Sequence, residues 1–237
     1  MARTAINLYS VRELDWPMSD ILEAVAAAGY DGVQFSGTVG DAPPGEIADT
    51  VADLGLAVTP AHVGLDGLSD DPEAALAPYR EVGADGAVVP WMEPEQFADR
   101  ESAVASARLL EDLAASLSIP LHYHNHDHEF TVCGDETAFD AFAGACSVGL
   151  EVDVGWVETA GYDPAALIER YADRIDLVHM KDMRDGEFCE LGDGDVDVQA
   201  CADAARAVDA SWLIYEHDEP ADPAASIDRG AEVLDGL

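Results

Sequence analysis

IPLHYHNHDHEF, residues 119–130, carries four histidines in one heptapeptide at the end of a short apolar run. Alternate side chains of an extended segment share a face, so His122, His124 and His126 fall together, and Asp127 and Glu129 follow at once. A lone histidine more often fills a core or a surface, but imidazoles and carboxylates gathered on one strand are the donor set of a metal or proton-transfer site. The other three histidines, His62, His179 and His217, also lie at the ends of apolar runs.

Working outward, seven further runs resemble this one: TAINLY (4–9), DGVQF (31–35), AVTPAHV (57–63), GAVVPW (86–91), VGLEVDV (148–154), IDLVHMK (175–181) and WLIYEH (212–217). Alanine-rich amphipathic stretches separate them, near residues 18–28, 45–54, 72–82, 95–117, 135–145, 164–173, 197–208 and 223–235. This is the alternation of βα units on a parallel sheet. Glycine stops the helices at Ala28-Gly29 and Val82-Gly83, and Asp71-Pro72 and Asp163-Pro164 each supply an N-cap with proline at the first helical position. Eight units in 237 residues predict one domain over 1–237, an α/β fold of the single (β/α)8 TIM-barrel kind. An open doubly wound sheet fits less well, because no GxGxxG or phosphate loop follows any strand and polar residues close many strands instead of one switch point.

In a barrel those strand ends converge on one mouth. Parity sends Gly149, Glu151 and Asp153 inward on the sixth strand, His179 and Lys181 on the seventh and Glu216 on the eighth, while the fifth adds His124 and its neighbours. A mixed oxygen and imidazole shell can hold a divalent cation and suits Mn²⁺, Co²⁺ or Zn²⁺, with Mg²⁺ also open. The competing structural roles are that Asp153 caps the next turn, His179 packs in a core, or Glu216 pairs with Arg174.

Eleven Lys and Arg against 49 Asp and Glu leave a formal charge of −38. Such a molecule repels phosphate backbones and anionic membranes, so neither nucleic acid nor a membrane is an expected partner. The acid excess, spread along the whole chain with few lysines, looks like the surface of a halophilic protein, where molar salt shortens the Debye length to about 3 Å. Cys133, Cys146, Cys189 and Cys201 form no CxxC pair and read as reduced thiols. The amino terminus has no apolar signal core and no apolar run approaches a membrane span, so a cytoplasmic protein is expected.

LHYHNHDHEF, EVDVGWVETAGYDP, IDLVHMKD and WLIYEHDEP, in that order, resemble blocks of the xylose isomerase-like barrel superfamily, the sugar phosphate isomerase/epimerase group that includes inosose dehydratases and enzymes of 3-keto-sugars. The resemblance is strong over 119–218 and diffuse before it. It implies a divalent metal on His124, Asp153, His179 and Glu216. Many members have glutamate at the fifth-strand position, so His126 and Glu129 stay open as alternatives to His124. Trp156 stands where members often have histidine and is expected to wall the substrate.

The implied chemistry is proton removal beside a carbonyl through an enediolate, giving isomerisation, epimerisation or, with loss of a β-hydroxyl, dehydration. Glu216 is the candidate base as well as a ligand, Glu129 the second acid or base, and Lys181 the charge that polarises a hydroxyl. His62, Trp91, His126 and Trp156 are the candidate contacts to a small sugar or cyclitol, with barrel-mouth packing an equal reading for His62 and Trp91. Asn7, Tyr9 and Gln34 either line or fill the pocket, and a homodimer is possible. An abasic-site nuclease on this barrel would need a basic surface, which −38 denies, and a non-catalytic sugar-binding barrel would not need the metal quartet.

Overall fold

The computed structural model describes residues 2–237. The strands of its main sheet are β1 (Arg3–Asn7), β2 (Gly32–Gln34), β3 (in two pieces, Ala57–Val58 and Ala61–His62), β4 (Ala87–Val89), β5 (Leu121–His124), β6 (Gly149–Asp153), β7 (Ile175–Met180) and β8 (Trp212–Tyr215), and two small antiparallel hairpins, Val132–Cys133 with Glu136–Thr137 and Asp182–Arg184 with Glu187–Cys189, stand apart from it. All pairings within the main sheet are parallel, and the order runs from the first piece of β3 through β2, β1, β8, β7, β6, β5 and β4 to its second piece. Because the two ends of that order belong to one strand, the sheet curls round into the expected barrel. The break falls at Pro60, which has no N–H to give; Thr59 N bonds Val33 O on one side and Ala61 N bonds Gly86 O on the other.

Around the sheet lie α1 (Met18–Ala28), α2 (Pro44–Leu54), α3 (Leu65–Asp70), α4 (Pro72–Glu81), α5 (Arg100–Ser116), α6 (Ala138–Ala143), α7 (Val154–Thr159), α8 (Pro164–Arg170), α9 (Val198–Ala207) and α10 (Pro223–Gly236). The turn chemistry read from the sequence is present: Gly29 and Gly83 take φ of 100° and 106°, and Asp71 and Asp163 cap α4 and α8. The helices differ from the sequence reading in several places, and α3, ahead of α4, is not among those expected. The stretch expected as one helix over 95–117 divides into a single 3-10 turn, Pro94–Phe97, and α5, because Asp99 accepts from Ser102 N and starts a new helix. α7 is additional, begun by Asp153, whose Oδ1 accepts from Trp156 N at 3.0 Å.

The barrel interior changes character along the strands. Its lower part is an apolar plug of Ala5, Val88, Leu177, Trp212 and Ile214, separate from the large core between sheet and helices. Inward side chains nearer the carboxyl ends of the strands are polar: Asn7, Gln34, His62, His124, Glu151, Asp153 and His179, all buried. No helix among the described residues is long and apolar enough to cross a membrane, and none of the four cysteines is paired.

Candidate active site

Parallel register decides which polar residues meet. Pairing of β5 with β6 sets His124 level with Glu151, and pairing of β6 with β7 sets Asp153 level with His179. Two overlapping groups result, each with ligand atoms within 4.8 Å of one another: a lower one of His62, His124, Glu151 and His179, and an upper one of His124, Asp153, His179 and Glu216. The upper group is the quartet expected from the sequence.

The lower group is tied together by protons. Glu151 Oε2 lies 2.5 Å from His62 Nε2, 3.1 Å from His124 Nδ1 and 3.1 Å from His179 Nε2, and its Oε1 accepts from Gln34 Nε2 at 2.6 Å. Gln34 Oε1 in turn accepts from Asn7 Nδ2 at 2.7 Å and from His179 Nε2 at 2.7 Å. An ionised carboxylate is acceptor-only, so these contacts place N–H on the ring nitrogens that face Glu151. Burial opposes the charge on Glu151, yet His179, His62 and His124 outweigh it and hold the carboxyl well below its usual range.

The nitrogens turned the other way face the upper group. His179 Nδ1 is 2.8 Å from Glu216 Oε2 and His124 Nε2 is 3.8 Å from Asp153 Oδ2. Burial works against a protonated His179, but Glu151 and Glu216 on either side raise its pKa to about 10. Burial lowers His124 to about 4, so that ring is neutral with its Nε2 lone pair available. Lys181 Nζ sits 2.9 Å from Asp153 Oδ2, 3.0 Å from Glu216 Oε2 and 3.0 Å from Asp218 Oδ1; these acids overcome its burial and raise its pKa. Burial lifts Asp153 to about 6 against the pull of Lys181. Glu216, buried but beside Lys181 and His179, is held well below the carboxylate range.

These residues fit a divalent cation. Four carboxylates, Glu151, Asp153, Glu216 and Asp218, face one ammonium and one imidazolium, an excess of negative charge that a dication would offset. Asp153 Oδ2 is buried without a hydrogen bond of good geometry, while Oδ1 is spent on the α7 cap. The capping role and the inward carboxylate thus coexist in one side chain.

Above the quartet opens a cavity of about 430 Å³. Of the residues expected to take part, His62, Trp91, His124, His126, Trp156, Lys181 and Glu216 line it. Trp91 meets the His126 ring edge-on at 4.5 Å, and His126 lies 5.3 Å from Trp156. Trp156 Nε1 and His126 Nδ1 are buried without a partner. Glu129 stands apart: its oxygens accept from Tyr123 Oη at 2.5 Å and from His126 N at 2.7 Å, fixing the turn that carries His126. Burial raises its pKa to about 7 despite those bonds. Arg174 is far from Glu216, bonding the carbonyls of Ala143 and Val148 at the opposite end of the barrel. His122 shares the inward parity of His124 but sits at that opposite end, against Gly149, where any side chain would collide with its Nδ1.

Sequence reading placed Asp127 in the fifth-strand cluster and Glu151 inward but gave neither a role, passed over Asp218, and left Asn7, Tyr9 and Gln34 undecided. Tyr9, Asp127 and Asp218 line the cavity, whereas Asn7, Gln34 and Glu151 form its floor. The parity that marked Asp153 marked Glu151 too; Asp127 and Asp218 lie past their strand ends, where parity has no meaning.

A family model described as xylose isomerase-like TIM barrel matches residues 22–237. The chain belongs to that family. Among solved structures, a sugar phosphate isomerase/epimerase from Parabacteroides distasonis ATCC 8503 superposes with a TM-score of 0.84, at 17% identity and covering 100% of this chain and 99% of that one. The 3-keto-D-glucoside 4-epimerase from E. coli gives 0.73 at 20% identity, with 100% of both chains covered. An inosose dehydratase of Geobacillus kaustophilus (strain HTA426) is 29% identical over 147 residues, 53% of this chain. The match spans 47%, about half, of that relative's length. Proteins named as an isomerase/epimerase and an epimerase therefore share this barrel's fold, an inosose dehydratase matches its sequence over about half the chain, and a buried His, Asp and Glu cluster that could hold a metal is what it shows at its mouth.

Proposed function

We propose that this protein is a divalent-metal-dependent sugar isomerase or epimerase that moves a proton at the carbon beside a carbonyl through an enediolate. The observation that supports it most is the meeting of His124, Asp153, His179 and Glu216, from four successive strands, under an aromatic-walled cavity at the carboxyl end of the barrel. His124 Nε2, Asp153 Oδ2, His179 Nδ1 and Glu216 would hold the ion, Mn²⁺, Co²⁺ or Zn²⁺ by donor type, with Mg²⁺ open. When bound it supplies Lewis-acid stabilisation of the oxygen that gains charge as the C–H bond breaks.

The protein's own groups do the rest. Glu216 lines the cavity with Oε2 held by His179 and Lys181, which leaves Oε1 to take the substrate proton. Lys181 donates to a substrate hydroxyl by exchanging one of its carboxylate partners. Trp91 and Trp156 wall the ring, and His62 and His126 complete the lining. Glu129, bonded to Tyr123 and His126 N, serves by holding His126 in place instead of exchanging protons with substrate. The inosose dehydratase relative favours one second reading: the same proton removal, followed by loss of a β-hydroxyl.

Keto-sugars, ketose phosphates and inososes incubated in D₂O with Mn²⁺, Co²⁺ or Mg²⁺ at high salt test this by NMR. Solvent deuterium should enter at the carbon next to the carbonyl, and the product distinguishes isomerisation or epimerisation from dehydration. Glu216→Gln should abolish exchange, a loss of at least about a hundredfold, with an unchanged circular dichroism spectrum; retained exchange refutes the assignment.

A further inference from the structure

We infer that the substrate carries no phosphate or other fixed anion and is a neutral keto-sugar, keto-glycoside or cyclitol ketone, a narrowing that rests on the isomerase reading above. A phosphoryl group is held by arginine or lysine with N–H donors to spare, by a helix N-terminus, or by a concave run of backbone amides. The receptors of these kinds nearest this mouth are engaged from within the chain.

Lys181 is the one lysine or arginine among the residues lining the cavity. An ammonium has three donors, and this one is ringed by three acids, Asp153, Glu216 and Asp218, as ion pairs at 2.9, 3.0 and 3.0 Å. One can be lent to a hydroxyl, but a phosphate would have to displace several carboxylates at once. Arg12, beside the cavity residues Tyr9 and Asp218, gives Nη1 to both their backbone carbonyls and lies over the Tyr9 ring, so that it is drawn to those partners and is not among the residues lining the cavity.

The backbone receptors are taken as well. Barrel enzymes commonly bind phosphate with the loops after the seventh and eighth strands. After β7, the N–H groups of Met183, Gly192, Gly194 and Val196 converge at 2.8–3.1 Å on the carboxylate of Asp182, so that the anion in this cradle is the protein's own. After β8, Asp222 accepts from Ala225 N and closes the N-terminus of α10. α7, which starts at the cavity floor, is closed by Asp153.

The charges that remain have the wrong sign, since Asp127, Glu216 and Asp218 all line the cavity. A dication on the quartet would bring the buried cluster towards neutrality, not to a positive surplus. At molar salt the repulsion from the whole molecule is screened, so it is these contacts at a few ångströms that exclude an anion. Neutral recognition takes its place: Tyr9 and Trp91, each 41% exposed, and Trp156 offer ring faces to the C–H surface of a sugar or cyclitol.

Matched pairs test this: a 2-ketocyclitol, a free hexulose and a 3-keto-hexoside, each against its phosphate monoester. Each is titrated calorimetrically into the Mn²⁺-loaded protein at molar KCl and then followed by NMR in D₂O. The neutral members should bind at least about tenfold tighter and take up deuterium beside the carbonyl. Esters that bind as tightly, or exchange as fast, overturn the inference and leave the isomerase reading standing. Exchange in neither set, with no binding, overturns both.

Discussion

Glu151 Oε2 receives three imidazole contacts, and that one oxygen organises the floor of the site. By holding protons on His124 Nδ1 and His179 Nε2 it turns His124 Nε2 and His179 Nδ1 towards the ion site, where a cation would take the place of the proton that His179 Nδ1 shares with Glu216. A carboxylate behind a ligating imidazole fixes its tautomer and raises its basicity, and losing one typically costs 10–100-fold in metal affinity. Glu151→Gln should therefore weaken Mn²⁺ or Co²⁺ binding by roughly that factor, read by calorimetry, with stoichiometry still one ion per chain. Two ions bound by the native protein would instead show that the lower group is itself a metal site. Residue type and strand parity, both local properties, pointed to Asp153, His179 and Glu216 and to the neighbourhood of His124, and the family resemblance set His124 ahead of His126 and Glu129. Glu151 has the same parity as Asp153, but its depth below the mouth depends on pairing with β5 and β7, which no single segment reveals.

Much of the acid in this chain is structural at the level of the element. Asp71, Asp99, Asp153, Asp163, Asp197 and Asp222 each accept from the first turn of a helix. The Asp-Pro pairs at residues 71 and 163 were legible because an N-cap followed by proline is a short-range signature. Asp182 was not, since three of its four amide partners lie 10 to 14 residues away across a hairpin and loop. Its removal would strand buried N–H groups at about 1–3 kcal/mol each before water enters the loop. Asp182→Ala should lower stability by roughly 2–4 kcal/mol, measured by denaturant unfolding; a loss under about 0.5 kcal/mol would show that the cradle does not need its carboxylate.

At the scale of the molecule, a formal charge of −38 on 237 residues opposes compaction. Exposed acids gain from screening more than the buried cluster does, so the melting temperature should rise from dilute buffer to molar KCl, by calorimetry or circular dichroism; a flat or falling curve would contradict that origin for the acid excess. The chain alone determined the number and order of βα units, the stop and start of most helices, the inward parity of the quartet and a strongly negative net charge, because periodicity, caps and net charge are local or additive. Only the tertiary structure decided how the strand split at Pro60 closes the barrel, that Glu151, Gln34 and Asn7 form the floor, that Glu129 turns from the cavity to Tyr123, and that Lys181 is ringed by three acids. Those outcomes depend on register between strands and on which side chains distant in sequence share one buried volume.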